Sequence, residues 1–220
     1  VGYLGRPETL PAALEGVERM YLAPLPETAR EVMALAKEAG VERVVDLAGP
    51  EGSWWHVVEE AVEDSGIAWT HLEAGEFMTN YLMWADQIRR TGVVRDAYPN
   101  AANAPIDLDD IAAVAATVLL EDGHVGRAYE LTGPETLTRA EMVRLIGAAL
   151  GRDIPYIELT HEQMVEQLTP TMGEYAAWYV EGMAALAANP QRAVPTVAEI
   201  TGRPATTFAQ WAARNVDQFR

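Results

Sequence analysis

The sequence contains no cysteine among its 220 residues. Disulfides, thiolate nucleophiles and cysteine-ligated metals are therefore excluded for this chain. A chain without cysteine fits a reducing compartment, and we expect a cytoplasmic protein. Serine occurs only at Ser53 and Ser65, and neither lies in a G-x-S-x-G turn. A serine hydrolase of the nucleophile-elbow kind is therefore disfavoured.

Positive charge is scarce. The formal net charge is −17, and the single lysine is Lys37. Such a chain repels nucleic acid and anionic membranes, so we expect neither as a partner. No apolar run reaches the roughly 20 residues that a membrane-spanning helix requires. A Tyr-x-x-x-Lys acid–base pair is also excluded, because the residue four positions before Lys37 is Met33.

The sequence also lacks a glycine-rich phosphate loop. No G-x-G-x-x-G segment occurs, and the pairs Gly2/Gly5 and Gly49/Gly52 have the wrong spacing. A doubly wound nucleotide-binding sheet holds a pyrophosphate on such a loop, at the N-terminus of its first helix. We therefore expect the first βαβ portion of such a fold to be missing from these residues.

Buried strands and amphipathic helices alternate through the first two-thirds of the chain. This alternation predicts an α/β fold of the Rossmann-like type, with a mostly parallel sheet and flanking helices. An incomplete sheet exposes an edge, predicted at residues 19–23 or 43–47, and exposed edges invite pairing with another chain. We therefore expect either a homodimer or poor solubility. The strands are predicted at residues 19–23, 43–47, 67–73 and 127–131, and the helices at 27–39, 54–65, 77–90 and 108–120.

The remainder of the chain is predicted to be a small, mainly helical lobe. Three segments have the capping-box pattern that begins a helix, namely 138–141, 160–163 and 196–199. We accordingly divide the chain into a Rossmann-like core at residues 1–135 and a helical, substrate-side lobe at 136–220.

Asp46 and His56 are candidate catalytic residues. Asp46 lies inside a strand that should be buried on both faces, so its carboxylate needs a partner or a raised pKa. It could serve as a general acid or base, or simply bond a neighbouring loop. His56 can transfer protons at neutral pH, but it could equally be a surface histidine beside Glu59 and Glu60.

His71 and Glu73 are the other candidate catalytic residues. They lie two apart on one strand, so their side chains share a face with Trp69. Ionisable groups beside aromatic side chains suit proton transfer on a planar ligand, although ordinary strand-end polarity would look the same. The expected substrate contacts surround them in the sequence and are Trp54, Trp55, Glu76, Asn80 and Tyr81.

A metal site is not expected from the spacing of the histidines. His161-Glu162 lacks the second helical histidine of a zinc-protease motif. His56 and Glu60 are four apart, but a salt-bridge-like contact on a helix explains them better.

The order and spacing of several segments resemble the NmrA-like branch of the atypical short-chain dehydrogenase/reductase superfamily. The resemblance covers nearly the whole chain and implies a Rossmann-like core, a helical lobe and bound NAD(P). Members reduce quinones or other small carbonyl compounds, act in secondary metabolism, or sense the NAD(P) redox state. The matching segments are GVERMYL at 16–22, GVERVV at 40–45, 56–70, GEFMTN at 75–80, PID at 105–107, DIA at 110–112, TGPE at 132–135 and 201–211.

The resemblance implies cofactor contacts at Tyr3, Pro24 and Ala48, and it brings His56 near the position of the superfamily's lysine. The sequence departs from the family at three strand ends. Tyr3 replaces a frequent aspartate, Ala48 and the following glycine replace a serine pair, and Glu73 replaces an arginine.

The sequence and the family resemblance leave three hypotheses for the function. The first is an NAD(P)-linked oxidoreductase that acts on a small planar carbonyl or quinone-type compound. The second is a cofactor-independent acid–base enzyme on the same scaffold, namely an isomerase, dehydratase or cyclase. The third is a non-catalytic NAD(P) or redox sensor. In each case the partner is a small molecule.

Overall fold

The structure, a computed structural model, describes residues 1–23 and 25–220. The strands are β1 (Arg19–Leu22), β2 (Arg43–Ala48), β3 (Ala68–Ala74), β4 (Val94–Ala97), β5 (Ala102–Asn103), β6 (Arg127–Leu131), β7 (Leu137–Thr138) and β8 (Tyr156–Leu159). The α-helices are α1 (Pro11–Leu14), α2 (Ala29–Glu38), α3 (His56–Ser65), α4 (Ala85–Thr91), α5 (Leu108–Leu120), α6 (Arg139–Leu150), α7 (His161–Met172), α8 (Tyr175–Ala188), α9 (Thr196–Thr201) and α10 (Phe208–Arg214).

The main sheet contains β1, β2, β3 and β6 in that order, and every pairing in it is parallel. The predicted α/β class with a parallel sheet and flanking helices is therefore confirmed. Among the described residues β1 pairs only with β2, so β1 forms an edge and β2 lies inside the sheet. Of the two expected edges, the structure has the one at residues 19–22.

Helices α2 and α3 pack on one face of this sheet. Alternate residues of a strand point to opposite faces, so Val44 and Ala48 of β2 enter this core and Asp46 points the same way. The helices contribute small and branched side chains at helical spacing, which close-pack against the strand residues. The helical residues of this core include Val32, Met33, Ala36, Val58, Ala61 and Val62.

The chain forms two compact units, each built from several segments. The second unit has its own core around Trp84, Phe208 and Trp211, together with the parallel pair β4–β8 and the antiparallel pair β5–β7. The boundary between residues 135 and 136 stays a prediction. The first unit comprises 1–75, 109–131 and 196–203, and the second comprises 76–108, 132–195 and 204–220.

The segment predicted as one helix at residues 77–90 consists of two helices of different kinds. Met78–Trp84 is a 3-10 helix, and α4 follows it. Residues three apart align along one edge of a 3-10 helix, and Met78, Tyr81 and Trp84 are all nearly fully buried there. Core packing at this spacing therefore favours the tighter helix.

Two of the three predicted capping boxes are present. The Thr138 hydroxyl accepts a hydrogen bond from the Glu141 N–H while the Thr138 N–H donates to the Glu141 carboxylate. Thr160 and Gln163 form the same reciprocal pair at the start of α7. At the third position, α9 begins at Thr196 itself, one residue earlier than a Thr196 cap requires.

The described helices are too short or too polar to span a bilayer. The longest, α8, has 14 residues, whereas a spanning helix needs about 20.

Candidate functional site

Asp46 and His71 form a buried pair in the middle of the main sheet. They are register partners on β2 and β3, and their exposed fractions are 0% and 2%. The distance from Asp46 Oδ2 to His71 Nδ1 is 2.7 Å, which is a hydrogen bond. The partner that the buried carboxylate needs is therefore a histidine on the adjacent strand.

Helix α3 supplies further ionisable side chains to this pair. Glu59 is buried, and one of its oxygens lies 3.1 Å from His56 Nδ1. One turn later, Glu63 Oε1 lies 3.5 Å from His71 Nε2. Glu59 and Glu63 were not among the site residues predicted from the sequence. Their spacing could have indicated that they face the sheet. Glu59 and Glu63 are four residues apart, so they lie on one face of α3, and Glu59 is three residues before the buried Val62.

Three buried atoms of this group make no hydrogen bond within the described residues. They are Asp46 Oδ1, Glu59 Oε1 and His71 Nε2. The 3.5 Å separation between His71 Nε2 and Glu63 is an ion-pair distance that fails hydrogen-bond geometry. An unsatisfied buried polar atom costs about 1–3 kcal/mol, so this arrangement is unusual for a merely structural cluster.

Asp46, His71, Glu59 and Glu73 bind protons more tightly than the same side chains do in water. Burial raises the pKa of Asp46, although His71 opposes this shift through its hydrogen bond and charge. Burial alone would lower the pKa of His71, but the hydrogen bond and charge of Asp46 and the charge of Glu59 raise it by more. Burial also raises the pKa values of Glu59 and Glu73.

Glu73 lies near the carboxyl end of β3, beside Ala48 at the end of β2. Ligands of open α/β sheets bind at the carboxyl ends of the strands. Glu73 is partly exposed, and its charge is coupled to His71 and His56. On the same face of β3, the rings of Trp69 and His71 stack with their centroids 4.0 Å apart. The structure therefore brings together all four candidate catalytic residues, whose roles stay predictions.

The predicted substrate contacts of the first unit are Trp54 and Trp55, which precede α3. Their ring centroids are 4.2 Å apart, with the planes tilted by 46°. Trp54 is 58% exposed, so it offers an aromatic surface to a ligand.

The predicted contacts of the second unit are Glu76, Asn80 and Tyr81. The Asn80 amide donates a hydrogen bond to Glu76 Oε1 at 3.0 Å. Tyr81 is only 1% exposed, and its hydroxyl donates to Asn103 Oδ1 at 3.0 Å. Tyr81 therefore belongs to the core of this unit as it is packed here.

Two of the three expected cofactor positions lie within the described residues. Tyr3 is 63% exposed, Ala48 is buried at the end of β2, and Pro24 lies outside the described residues. The turn between β2 and α3 contains Gly49, where an added Cβ would lie 2.6 Å from Ser53 Oγ. Ser53 therefore packs closely against Gly49, and a larger residue at position 49 would displace it.

The sequence is similar to curated reductases along almost its whole length, although no protein-family model matches it. It is 38% identical to an NAD(P)H azoreductase from Xenophilus azovorans, covering 99% of this chain and 82% of the relative. It is 35% identical to a (4-alkanoyl-5-oxo-2,5-dihydrofuran-3-yl)methyl phosphate reductase from Streptomyces griseus, covering 99% of this chain and 83% of that enzyme.

The fold matches solved structures of the same kind. An NADPH-dependent quinone oxidoreductase from Escherichia coli, complexed with NADPH, superposes with a TM-score of 0.83 at 26% identity. The match covers 97% of this chain and 81% of that one. From the parallel sheet, the segment order and these similarities, the chain belongs to the NAD(P)H-dependent reductases of the NmrA-like, atypical short-chain dehydrogenase/reductase type.

Proposed function

We propose that this protein is an NAD(P)H-dependent reductase of a small planar acceptor, namely a quinone, an azo compound or another conjugated carbonyl compound. The observation that carries the proposal is the 38% identity with an azoreductase over 99% of the chain. The exposed Trp54 ring supports a planar substrate, because aromatic rings stack on flat conjugated ligands. A role in secondary metabolism would follow for a substrate of this class.

The sequence of residues 1–220 has no G-x-G-x-x-G loop to hold the cofactor's phosphates. The net charge of −17 also disfavours phosphate binding. The match to the azoreductase leaves part of that relative's length uncovered. We propose that a glycine-rich phosphate turn lies outside residues 1–220.

We propose Glu73 as the proton donor to the substrate. A bound nicotinamide supplies the hydride for such a reduction, and a side chain must supply the accompanying proton. Burial raises the pKa of Glu73, so its carboxyl group keeps a proton to higher pH than an exposed glutamate. A general acid with a raised pKa is suited to neutral solution and contributes about 10²–10⁴-fold to a rate.

The other three candidate residues support Glu73 from the sheet and from the start of α3. His56 is partly exposed and coupled to Glu73, so we propose that it returns the proton from solvent. His71 and Asp46 are buried, and we propose them as positioning residues that set the charge next to Glu73.

The tryptophan pair Trp54 and Trp55 is proposed as the substrate wall in the first unit. In the second unit, Glu76 and Asn80 form a hydrogen-bonded pair that could orient a polar substituent. Tyr81 would take part only through its neighbours, because its own ring is buried.

The test measures NADPH binding by fluorescence and NADPH oxidation with a naphthoquinone and with an azo dye. We expect Glu73→Gln to lower kcat by about 10²-fold or more and to remove the fall in kcat at high pH that deprotonation of Glu73 causes. Glu130→Gln is the matched control, because Glu130 is the exposed register partner of Glu73 on β6. Equal activities of the two variants would refute the role of Glu73.

A cofactor-independent acid–base enzyme is the second candidate. The buried Asp46–His71 pair favours it, since an imidazole held by a carboxylate can transfer protons without a cofactor. NADPH binding distinguishes the two candidate functions. No fluorescence change at millimolar NADPH in a chain that includes the proposed glycine-rich turn would exclude the reductase and favour the acid–base function.

A further inference from the structure

The group formed by Asp46, Glu59 and His71 has the composition and burial of a metal site. Each residue offers one ligand atom, and these atoms lie within 4.8 Å of one another. All three side chains are at least nine-tenths buried, and each carries an atom without a hydrogen-bond partner. We propose that Asp46, Glu59 and His71 bind one divalent cation of the Zn²⁺ class in the first unit.

The donor set fits this class of ion. One imidazole nitrogen and two carboxylate oxygens form a three-ligand set of the kind that binds Zn²⁺ with a fourth position open to water. Calcium and magnesium prefer sets made entirely of oxygen, so the histidine favours a transition metal. No sequence spacing predicts the set, because its members come from β2, α3 and β3.

Binding an ion requires only a small inward movement of the three ligand atoms. A cation at the centre of three atoms about 4.8 Å apart would lie about 2.8 Å from each, against the usual 2.0–2.2 Å. Each ligand atom therefore needs to move inward by less than about 1 Å. A glutamate side chain on a helix can make this adjustment by rotating its terminal torsions.

The charge balance also favours a cation. Glu63 and Glu73 lie near the three ligands, and His56 and Tyr21 are further ionisable neighbours. Within the described residues, no lysine or arginine forms an ion pair with any of these carboxylates. A divalent ion would offset the buried negative charge, and each of the three residues has an unpaired atom available to bind it.

The buried ligands are neighbours of partly exposed side chains on α3. The side chains of His56 and Glu63 are 33% and 52% exposed, and they contact Glu59 and His71. One layer of side chains therefore separates these ligands from solvent.

The test begins with unaltered protein treated with EDTA and then dialysed against ZnCl₂. We expect about one zinc ion per chain by elemental analysis and a rise in Tm on adding the metal. Glu59→Gln and His71→Asn should each weaken zinc binding by about 100-fold or more. Glu60→Gln is the matched control, since Glu60 is the next residue on α3 and is exposed.

Two outcomes would overturn the proposal. One is the finding of only a trace of zinc in the unaltered protein after dialysis. This result can be interpreted without any variant. The other is equal zinc binding by Glu59→Gln and Glu60→Gln. Neither readout involves NADPH or a substrate, so this inference stands or fails separately from the reductase function.

Discussion

Replacing Asp96 with asparagine tests the buried ion pair that organises the second unit. Asp96 is fully buried, and its Oδ2 accepts hydrogen bonds from Trp84 Nε1 at 2.7 Å and from Arg139 Nε at 3.1 Å. Arg139 is also buried, with its guanidinium 5.1 Å from the centre of the Trp84 ring. Within the described residues Arg139 forms an ion pair with no other carboxylate.

The expected loss of stability comes from leaving the buried guanidinium charge of Arg139 without its carboxylate partner. Burial lowers the pKa of Arg139, but the charge of Asp96 raises it by more, so the side chain stays protonated. Removing one member of a buried pair costs about 3–5 kcal/mol. Asparagine still offers one acceptor oxygen, so we expect about 3 kcal/mol, which for a chain of this size is about 6–12 °C in Tm.

The assay is urea unfolding followed by circular dichroism. The matched control is Asp86→Asn, because Asp86 is an exposed residue that pairs with Arg90 at 3.0 Å across one turn of α4. An exposed pair of this kind contributes about 0–1 kcal/mol. Adding Arg139→Met to Asp96→Asn should restore most of the lost stability, since the buried charge is then gone. If Asp96→Asn were no less stable than Asp86→Asn, the reasoning would be refuted.

Three further measurements address other parts of the molecule. The raised pKa values of Asp46, Glu59 and His71 mean that the native state binds more protons than the unfolded state, so their contribution to the unfolding free energy falls as pH rises. This loss begins near the ordinary carboxyl pKa of about 4 and continues past the ordinary histidine value of about 6.5, at about 1.4 kcal/mol per pH unit for each extra proton. Urea titrations from pH 4 to 8 should give a shallower decline for Glu59→Gln, and identical pH profiles would contradict this. Thr138→Ala should lower the unfolding free energy by about 1 kcal/mol through loss of the α6 cap, whereas Thr138→Ser should not. Tyr21→Lys on the edge strand β1 should weaken self-association in sedimentation, and an unaltered protein that is monomeric at every concentration would remove the basis for this expectation.

The secondary structure was largely predictable because it follows from local patterns. The apolar run in β2 and the apolar face of α3 show in a few neighbouring residues, and their ends follow glycine and capping preferences. The 3-10 helix at Met78–Trp84 was not predictable in this way. An apolar residue at every third position fits either helix, and the choice depends on the core that Tyr81 and Trp84 enter.

The candidate site was predictable only one residue at a time. Asp46 stood out because a carboxylate is costly inside a buried strand. His71 stood out because it shares a strand face with Glu73 and Trp69. The contact between Asp46 and His71 depends on strand register, which joins residues 25 apart in the chain. Glu59 looked like one of several helical glutamates, because burial depends on which face of α3 meets the sheet.

The sequence by itself determined that this is a parallel α/β protein without cysteine chemistry, without a Tyr-x-x-x-Lys pair and without a glycine-rich phosphate loop among its 220 residues. Composition and spacing suffice for these conclusions because each concerns residue types or short segments. Only the tertiary structure decided that two strands and a helix bring Asp46, His71 and Glu59 into one buried cluster. That cluster arises from packing, because the pairing of strands and the rotation of a helix are set by the whole core rather than by any segment within it.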